Sequence, residues 1–349
     1  MFNTKYLPSY LITLGIIVVV GSYSKQVKKY FSSDDDEYEY DMIKTYLLNE
    51  SPLYGNNRPK LWIHSKYEMN ARVWKDFHSR NTHDLNQDYL HLTIKTIINH
   101  CGEDFNICLI DDNSFGKLLP NWDVELSTVA EPIKNYFRNL AMTQLLYLYG
   151  GMVVPNSFVC SKSLKSMYDE FIGNNKAFVC EMINNSSNIA MDKPTNRFIP
   201  SLEFMGSNKE NPAMLELNEY IKFLYRDGHI TKEHIFRGMI NQKCNELIFK
   251  EKLHLVDGHY IGVKTNRNKP ILIEEICEEA YLDLHKDTLG IYIPSDDILN
   301  RTKYQWFANA STEHILESNM IIAKYLKASI TDTTNEYYKG KKERTVVTI

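Results

Sequence analysis

Apolar runs and helical periodicity alternate in the part of the chain that follows residue 56. Uninterrupted apolar residues at 61–63 and in the segment FNICLIDD (residues 105–112) predict two buried strands. Between them, apolar side chains recur at near-helical spacing from Leu85 to Ile98, and Asp84 is placed to cap that helix. The pattern therefore begins with strand, helix and strand.

The alternation continues with a helix that the sequence marks at both ends. This helix is predicted over 132–149, with Pro132 in its first turn and the pair Gly150–Gly151 after its last residue. The apolar residues 152–154 predict a third buried strand. Strands that alternate with helices form a mostly parallel sheet covered by helices on both faces, so we expect an α/β fold.

The second half of the chain is less regular. Short strands are predicted at 177–180, 202–205, 253–256 and 290–293, and helices at 212–225, 232–248 and 312–326. The acidic segment EEICEEAYLDLHKD (residues 274–287) is typical of a solvated helical face.

The N-terminal segment YLPSYLITLGIIVVVGSYS (residues 6–24) carries no charge. About 20 apolar residues span a bilayer, so the segment predicts a single-pass membrane anchor preceding the α/β domain. The alternative is a cleaved signal peptide, but only Lys5 supplies a basic start and no small-residue cleavage site follows. Lys25, Lys28 and Lys29 favour a cytosolic C-terminal part, and the lumenal side stays open.

Four regions follow from these patterns. They are an anchor (1–30), an acidic linker (31–56), an α/β domain (57–330) and a flexible basic tail (331–349). The linker contains SSDDDEYEYD, an acidic run that stays solvated.

Charge and cysteine usage remove several classes of function. With 40 Lys and Arg against 44 Asp and Glu, the net charge is -4, which argues against a nucleic-acid partner. The six cysteines form no CxxC pair, so no zinc knuckle is predicted. Cys108, Cys160 and Cys180 lie in or beside apolar runs and are expected to be buried free thiols. The histidines show no HxxxH or HxH spacing, so none is predicted to bind a metal.

Three segments carry a family resemblance: PKLWIH (59–64), FNICLIDD and LLYLYGGMVV (145–154). Together they are similar to glycosyltransferases of the DxD sugar-binding group, which includes capsular-polysaccharide-synthesis enzymes. The similarity covers about residues 57–160. It implies the GT-A fold, a Rossmann-like sheet that binds a nucleotide-sugar at the carboxyl ends of its strands. The composition is also similar to that of large-DNA-virus proteins.

The sequence retains the family's turn but not the charged residues on either side of it. In the family, a serine, an aspartate and an arginine precede the turn, and the two aspartates of DxD follow it and hold Mg²⁺ or Mn²⁺. By position, the serine falls on Arg138 here, and the turn itself (Tyr149, Gly150, Gly151) is retained. The other four family positions carry neutral residues: Asn139, Met142, Pro155 and Ser157. The sequence thus predicts a degenerate DxD site without a metal.

Two interpretations of function remain open. The first is a membrane-anchored, glycosyltransferase-like protein without a cofactor. It would be a non-catalytic binding or structural protein whose partner is a nucleotide-sugar, a glycan or another protein. The second is an active nucleotide-sugar glycosyltransferase with a rearranged or metal-independent site. In that enzyme, Asp111 and Asp112 would bind a ribose hydroxyl or a Mn²⁺ or Mg²⁺ ion, and Lys162 and Lys165 would contact phosphate groups.

Overall fold

A six-stranded sheet forms the centre of the molecule. The structure is a computed structural model that describes residues 58–65, 87–184, 197–228 and 233–337. The central strands are β1 (Lys60–His64), β2 (Asn106–Ile110), β3 (Gly151–Val153), β5 (Ala177–Ile183), β6 (Phe198–Ser207) and β7 (Leu253–Val256). Their order is β2-β1-β3-β6-β5-β7, and only β6 runs antiparallel to its neighbours. The remaining strands, β4 (Phe158–Cys160) and β8 (Gly290–Tyr292), form an antiparallel pair.

The three strands predicted in the first half are neighbours, as expected. Leu61 of β1 is in register with Ile107 of β2 and with Met152 of β3, and all of these pairings are parallel. Leu61, Trp62 and Ile63 are each fully buried, although successive side chains of a strand point to opposite faces. Both faces of the sheet are therefore covered, and the prediction of a mostly parallel α/β fold is confirmed.

Helices supply that cover. They are α1 (Tyr89–Cys101), α2 (Ser114–Leu118), α3 (Glu131–Tyr149), α4 (Lys165–Phe171), α5 (Pro212–Arg226), α6 (Glu233–Phe249), α7 (Ile273–Ile276), α8 (Ser295–Asn300), α9 (Gln305–Asn309), α10 (Thr312–Glu317) and α11 (Ile321–Tyr337). On one face, Trp62 and Val153 share a core cluster with apolar residues of α3, α5 and α6. Helix α1 packs against β4 and α11.

The Gly150–Gly151 turn brings the end of α3 directly onto the sheet. Gly150 has a φ of +68° and Gly151 a φ of +101°, conformations that favour glycine. A side chain at Gly151 would collide with the backbone of Lys60 in β1. The indole Nε1 of Trp62 donates to the Gly150 carbonyl at 3.0 Å, and the Tyr149 hydroxyl donates to a carbonyl of α2 at 2.6 Å. Packing and backbone geometry thus explain why these residues suit the turn.

Several predicted elements need correction. The helix predicted over 312–326 is broken, because Ser318 adopts an extended conformation and its hydroxyl donates to the Ile315 carbonyl at 2.7 Å. Instead, two separate helices, α10 and α11, occupy this part of the chain. Only Ile273–Ile276 is helical in the acidic segment predicted as a helical face, and residues 278–289 form turns and irregular structure.

The cysteine prediction is confirmed. All six cysteines are free thiols, and Cys108, Cys160 and Cys180 are buried. Burial raises the pKa of Cys108 to about 12 and raises that of Cys180 well above its usual value, so both stay protonated at neutral pH.

The N-terminal predictions concern another part of the chain. The anchor at 6–24, the acidic linker and the candidate cap Asp84 all lie outside the described residues. Within the described ranges, no helix combines the length and the apolar character needed to cross a bilayer. Helix α1 begins at Tyr89, and Asp88 occupies the position before it.

Candidate functional site

A cavity of about 220 Å³ lies at the carboxyl ends of the parallel strands. Its floor is formed by His64 at the end of β1, by the last residue of β3 and the four residues after it (153–157), and by Met182 near the end of β5. Helices α3 and α6 form one wall, and the other wall includes Tyr292 of β8 and residues of α8. Open α/β sheets bind their ligands at this edge, which makes the cavity the candidate site.

The four positions that the sequence marked as degenerate all line this cavity. Asn139 and Met142 reach it from α3, and Pro155 and Ser157 reach it from the segment after β3. The Asn139 amide donates to the backbone carbonyl of Asn135 at 2.8 Å. The Ser157 side chain is 1% exposed, and its hydroxyl has no hydrogen-bond partner among the described residues.

Asp112 anchors a buried ionic group at the edge of the cavity. Its carboxylate accepts two hydrogen bonds from the Arg138 guanidinium, at 2.9 and 2.8 Å, and contacts the His64 Nε2 atom at 2.9 Å. Burial alone would raise the pKa of Asp112, but the hydrogen bonds from His64 and Arg138 outweigh it and hold that pKa well below its usual range. His64 and Arg138, rather than Asp112 itself, face the cavity.

Hydrogen bonds and salt bridges connect this ionic group to further polar side chains along the cavity wall. Arg138 Nη1 donates to the Asn135 side-chain oxygen at 3.4 Å, and the Asn135 amide donates to Glu233 at 3.2 Å. The Arg237 guanidinium lies 2.8 Å from the Glu233 carboxylate and 3.4 Å from that of Asp296. One network thus connects the segment after β2 with α3, α6 and α8, and each of its carboxylates contacts a guanidinium group.

Glu203 lies on another part of the cavity wall. The hydroxyl of Tyr292, which also lines the cavity, donates to the Glu203 carboxylate at 3.0 Å. Burial, and then the nearby carboxylates of Glu203 and Asp296, raise the pKa of Tyr292 well above its usual value. Tyr292 therefore remains a neutral hydrogen-bond donor at physiological pH.

The other three sequence-predicted binding residues do not line the cavity. The Asp111 carboxylate accepts hydrogen bonds from the backbone N–H and hydroxyl of Ser114, at 2.7 and 2.6 Å, and so holds the start of α2. Lys162 donates to the Lys286 carbonyl at 3.1 Å, and Lys165 forms a salt bridge with Asp169. None of these contacts brings Asp111, Lys162 or Lys165 to the cavity.

Comparisons with known proteins place the chain beside glycosyltransferases of solved structure. No protein-family model matches the sequence, and no curated protein matches it. The glycosyltransferase GlyE of Streptococcus pneumoniae TIGR4 is similar with a TM-score of 0.38 and 10% identity, over 81% of this chain and 64% of that chain. The chain therefore spans less than two thirds of GlyE.

Two further solved structures are similar at the same level. The galactosyltransferase LgtC, in complex with donor and acceptor sugar analogues, gives a TM-score of 0.34 and 11% identity, over 81% of this chain and 100% of its own. Mouse xyloside xylosyltransferase 1 gives 0.35 and 10%, over 59% of this chain and 87% of its own. With TM-scores this low, no residue or activity is carried over to this chain.

The cavity does not fit the Mg²⁺ or Mn²⁺ ion that the DxD resemblance implies. Such an ion prefers carboxylate oxygens that are not already neutralised. Asp112, Glu233 and Asp296 contact guanidinium groups, and Glu203 accepts a hydrogen bond from a tyrosine. The segment 155–157 offers only proline, asparagine and serine. No step through a bound metal follows from these groups.

The sequence prediction missed most of the charged groups at this site. Arg138 enters it only as the replacement of a family serine, although it is the main ionic partner of Asp112. Glu203, Arg237 and Asp296 belong to no motif, and tertiary packing alone brings them to the cavity. The position of His64 directly after a buried apolar run was the one available signal, since strand ends meet at the ligand-binding edge.

Proposed function

We propose that this chain is a glycosyltransferase-like protein whose cavity binds an uncharged sugar and does not perform metal-dependent transfer from a nucleotide-sugar. One observation carries the proposal: three of the four carboxylates at the cavity are already paired with guanidinium groups of the protein itself. The carboxylates of Asp112, Glu233 and Asp296 all contact Arg138 or Arg237. A cation taken up here would have to displace these partners, and at Asp112 it would leave the buried Arg138 guanidinium uncompensated.

The charge balance also disfavours an anionic donor. Four carboxylates (Asp112, Glu203, Glu233 and Asp296) and two guanidinium groups lie in or directly behind the wall. Even with a proton on His64, the group remains negative. A diphosphate without a metal would be repelled in such a site, whereas sugar hydroxyls both donate and accept hydrogen bonds.

Two buried polar atoms support binding of a hydroxylated ligand. The Ser157 hydroxyl and the Gln87 side-chain oxygen both belong to residues that line the cavity, and neither atom has a partner among the described residues. An unpaired buried polar group costs about 1–3 kcal/mol. A sugar hydroxyl that reaches these atoms would recover part of that free energy.

Calorimetry of the full chain tests the proposal. We expect no Mn²⁺-dependent binding of UDP- or GDP-sugars and no hydrolysis of them, but measurable binding of at least one neutral oligosaccharide from a panel. The variant Ser157→Ala should weaken that binding, whereas Ser127→Ala, at an exposed serine outside the cavity, should not. Micromolar nucleotide-sugar binding that disappears with a chelator would overturn the proposal.

One observation favours the second interpretation, a metal-independent glycosyltransferase. The Arg237 side chain lines the cavity and is 51% exposed, so its guanidinium is accessible to a phosphate group. Nucleotide-sugar binding that is unaffected by a chelator and is lost in Arg237→Gln would support a metal-independent glycosyltransferase. In that case Arg237 would perform the role that the sequence assigned to Lys162 and Lys165.

We also propose that residues 6–24 attach the protein to a membrane. The support is the uncharged apolar length of this segment. Deleting residues 1–30 should release the protein from membranes in the absence of detergent. A truncated chain that still requires detergent, or a mature N-terminus after Ser24, would contradict the anchor.

A further inference from the structure

Two histidines and an aspartate that are distant in sequence meet on the surface away from the cavity. His259 follows β7, and His285 and Asp287 precede β8. The two imidazole rings have centroids 4.4 Å apart, and the Nδ1 atom of His285 lies 3.4 Å from the Asp287 carboxylate. One ligand atom from each residue lies within 4.8 Å of the others, an arrangement found once among the described residues.

Neighbouring groups hold His259 in a metal-binding orientation. Its Nδ1 atom lies 2.6 Å from the Asp257 carboxylate, which also accepts the His259 backbone N–H at 2.9 Å. A carboxylate that accepts the Nδ1 proton leaves the Nε2 atom unprotonated and able to bind a metal, which is the usual support of a metal-bound histidine. Asp257 is in turn held by Lys264 at 2.8 Å, and Lys264 by Glu181 at 2.6 Å.

We propose that His259, His285 and Asp287 bind one Zn²⁺ ion. Two imidazoles and one carboxylate, completed by a water molecule, form a usual tetrahedral zinc environment. Ligand atoms of such a site are roughly 3.3 Å apart, so the three side chains must approach slightly. Their exposures of 21%, 31% and 51% leave room for that adjustment and for entry of the ion.

The zinc site is separate from the candidate sugar site. None of its three residues lines the cavity. The β4–β8 pair lies between the two sites. At its cavity end, the backbone N–H of Ile293 donates to the Ser157 carbonyl. At its other end, the backbone N–H of Leu289 donates to the carbonyl of Tyr260, the residue after His259. The ion would therefore connect the loop after β7 to the loop before β8.

Zinc titration of the full chain, prepared without a histidine tag and stripped with a chelator, tests the site. The wild type should bind one Zn²⁺ per chain at micromolar or lower concentration. His285→Ala and Asp287→Asn should weaken binding by at least about tenfold, and Asp257→Asn, which removes the support of His259, by about 10–100-fold. His314→Ala is the matched control, because His314 is exposed on α10 outside the cluster, and its affinity should equal that of the wild type.

Substitution with Co²⁺ identifies the ligands. The absorption spectrum should indicate tetrahedral nitrogen and oxygen ligands, without the charge-transfer band that thiolates give. Any one of three results would overturn the proposal. They are a thiolate charge-transfer band, a zinc affinity of His285→Ala equal to that of His314→Ala, and the absence of one-to-one zinc binding by the wild type. Asp287→Asn alters an exposed side chain, so it provides a second test if a histidine variant fails to fold.

Discussion

Two regions of this molecule combine histidine and carboxylate side chains, and they do so in different ways. At the cavity, Asp112 contacts His64 and receives both hydrogen bonds of the Arg138 guanidinium. In the loops after β7 and before β8, Asp287 contacts His285, and no lysine or arginine in the described part of the chain forms a salt bridge with it. The residue types are similar, but Asp112 is paired with a permanent cation and Asp287 is not.

The presence of that cation separates a structural group from a candidate ligand. A carboxylate held by a buried guanidinium cannot bind a metal without leaving the guanidinium unpaired, which is costly in a low-dielectric environment. The Asp112 side chain is 18% exposed and that of Asp287 is 51% exposed, so desolvation strengthens the contrast. Metal chemistry is therefore expected outside the cavity, although the family resemblance places it inside.

The largest expected effect that tests this contrast is the loss of Arg138. Arg138→Met should destabilise the protein by about 3–5 kcal/mol, because it leaves the buried Asp112 charge in contact with His64 but without its guanidinium partner. Denaturant unfolding measures the change. The double variant Asp112→Asn with Arg138→Met should recover much of the loss, and a double variant no more stable than Arg138→Met alone would show that the ion pair is not the cause.

A smaller effect is expected in acid, because protonation neutralises Asp112 without removing atoms. The folded-state pKa of Asp112 is depressed, so its contribution to stability is complete above the unfolded-state pKa of about 4 and is lost as the pH falls towards the folded-state value. The free energy of unfolding should therefore decrease below about pH 4. In Asp112→Asn the free energy of unfolding should decrease less steeply as the pH falls. Equal pH dependence in the variant and the wild type would show that Asp112 is not the titrating group.

Much of the fold could be predicted because short-range patterns determine it. The apolar runs at 61–63, 105–112 and 152–154 became the adjacent strands β1, β2 and β3. The glycine pair after α3 marked a turn that backbone geometry requires. The pattern failed at 312–326, where apolar periodicity continues through Ser318 but the serine interrupts the helix. Periodicity records which side chains are buried and does not record every break between helices.

The candidate site could be predicted only in part, because its charges come from distant segments. Asn139, Met142, Pro155 and Ser157 line the cavity as their positions beside the turn suggested. The salt bridge from Arg138 to Asp112 depends on the packing of α3 beside the end of β2, which no local pattern records.

The histidine cluster illustrates the same limit of local patterns. His259 and His285 have no metal-binding spacing in the sequence, yet the loops after β7 and before β8 bring their rings together. Motif spacing detects ligands within one element, whereas these ligands come from two.

The smallest expected effect concerns Asp287 in the metal-free protein. Asp287→Asn should change the free energy of unfolding by less than about 0.5 kcal/mol, because the side chain is half exposed. With zinc present, the free energies of unfolding of the wild type and of Asp287→Asn should differ. An ion at a hundred times its dissociation constant stabilises the folded wild type by about 2.7 kcal/mol, and the tenfold weaker site of the variant gains about 1.4 kcal/mol less. Thermal unfolding with chelator and with Zn²⁺ measures both differences. If zinc stabilises the two proteins equally, Asp287 is not a ligand and the contrast between the cavity and the histidine cluster is lost. If the two proteins differ in stability only when zinc is present, the metal is bound in the loops beside β7 and β8.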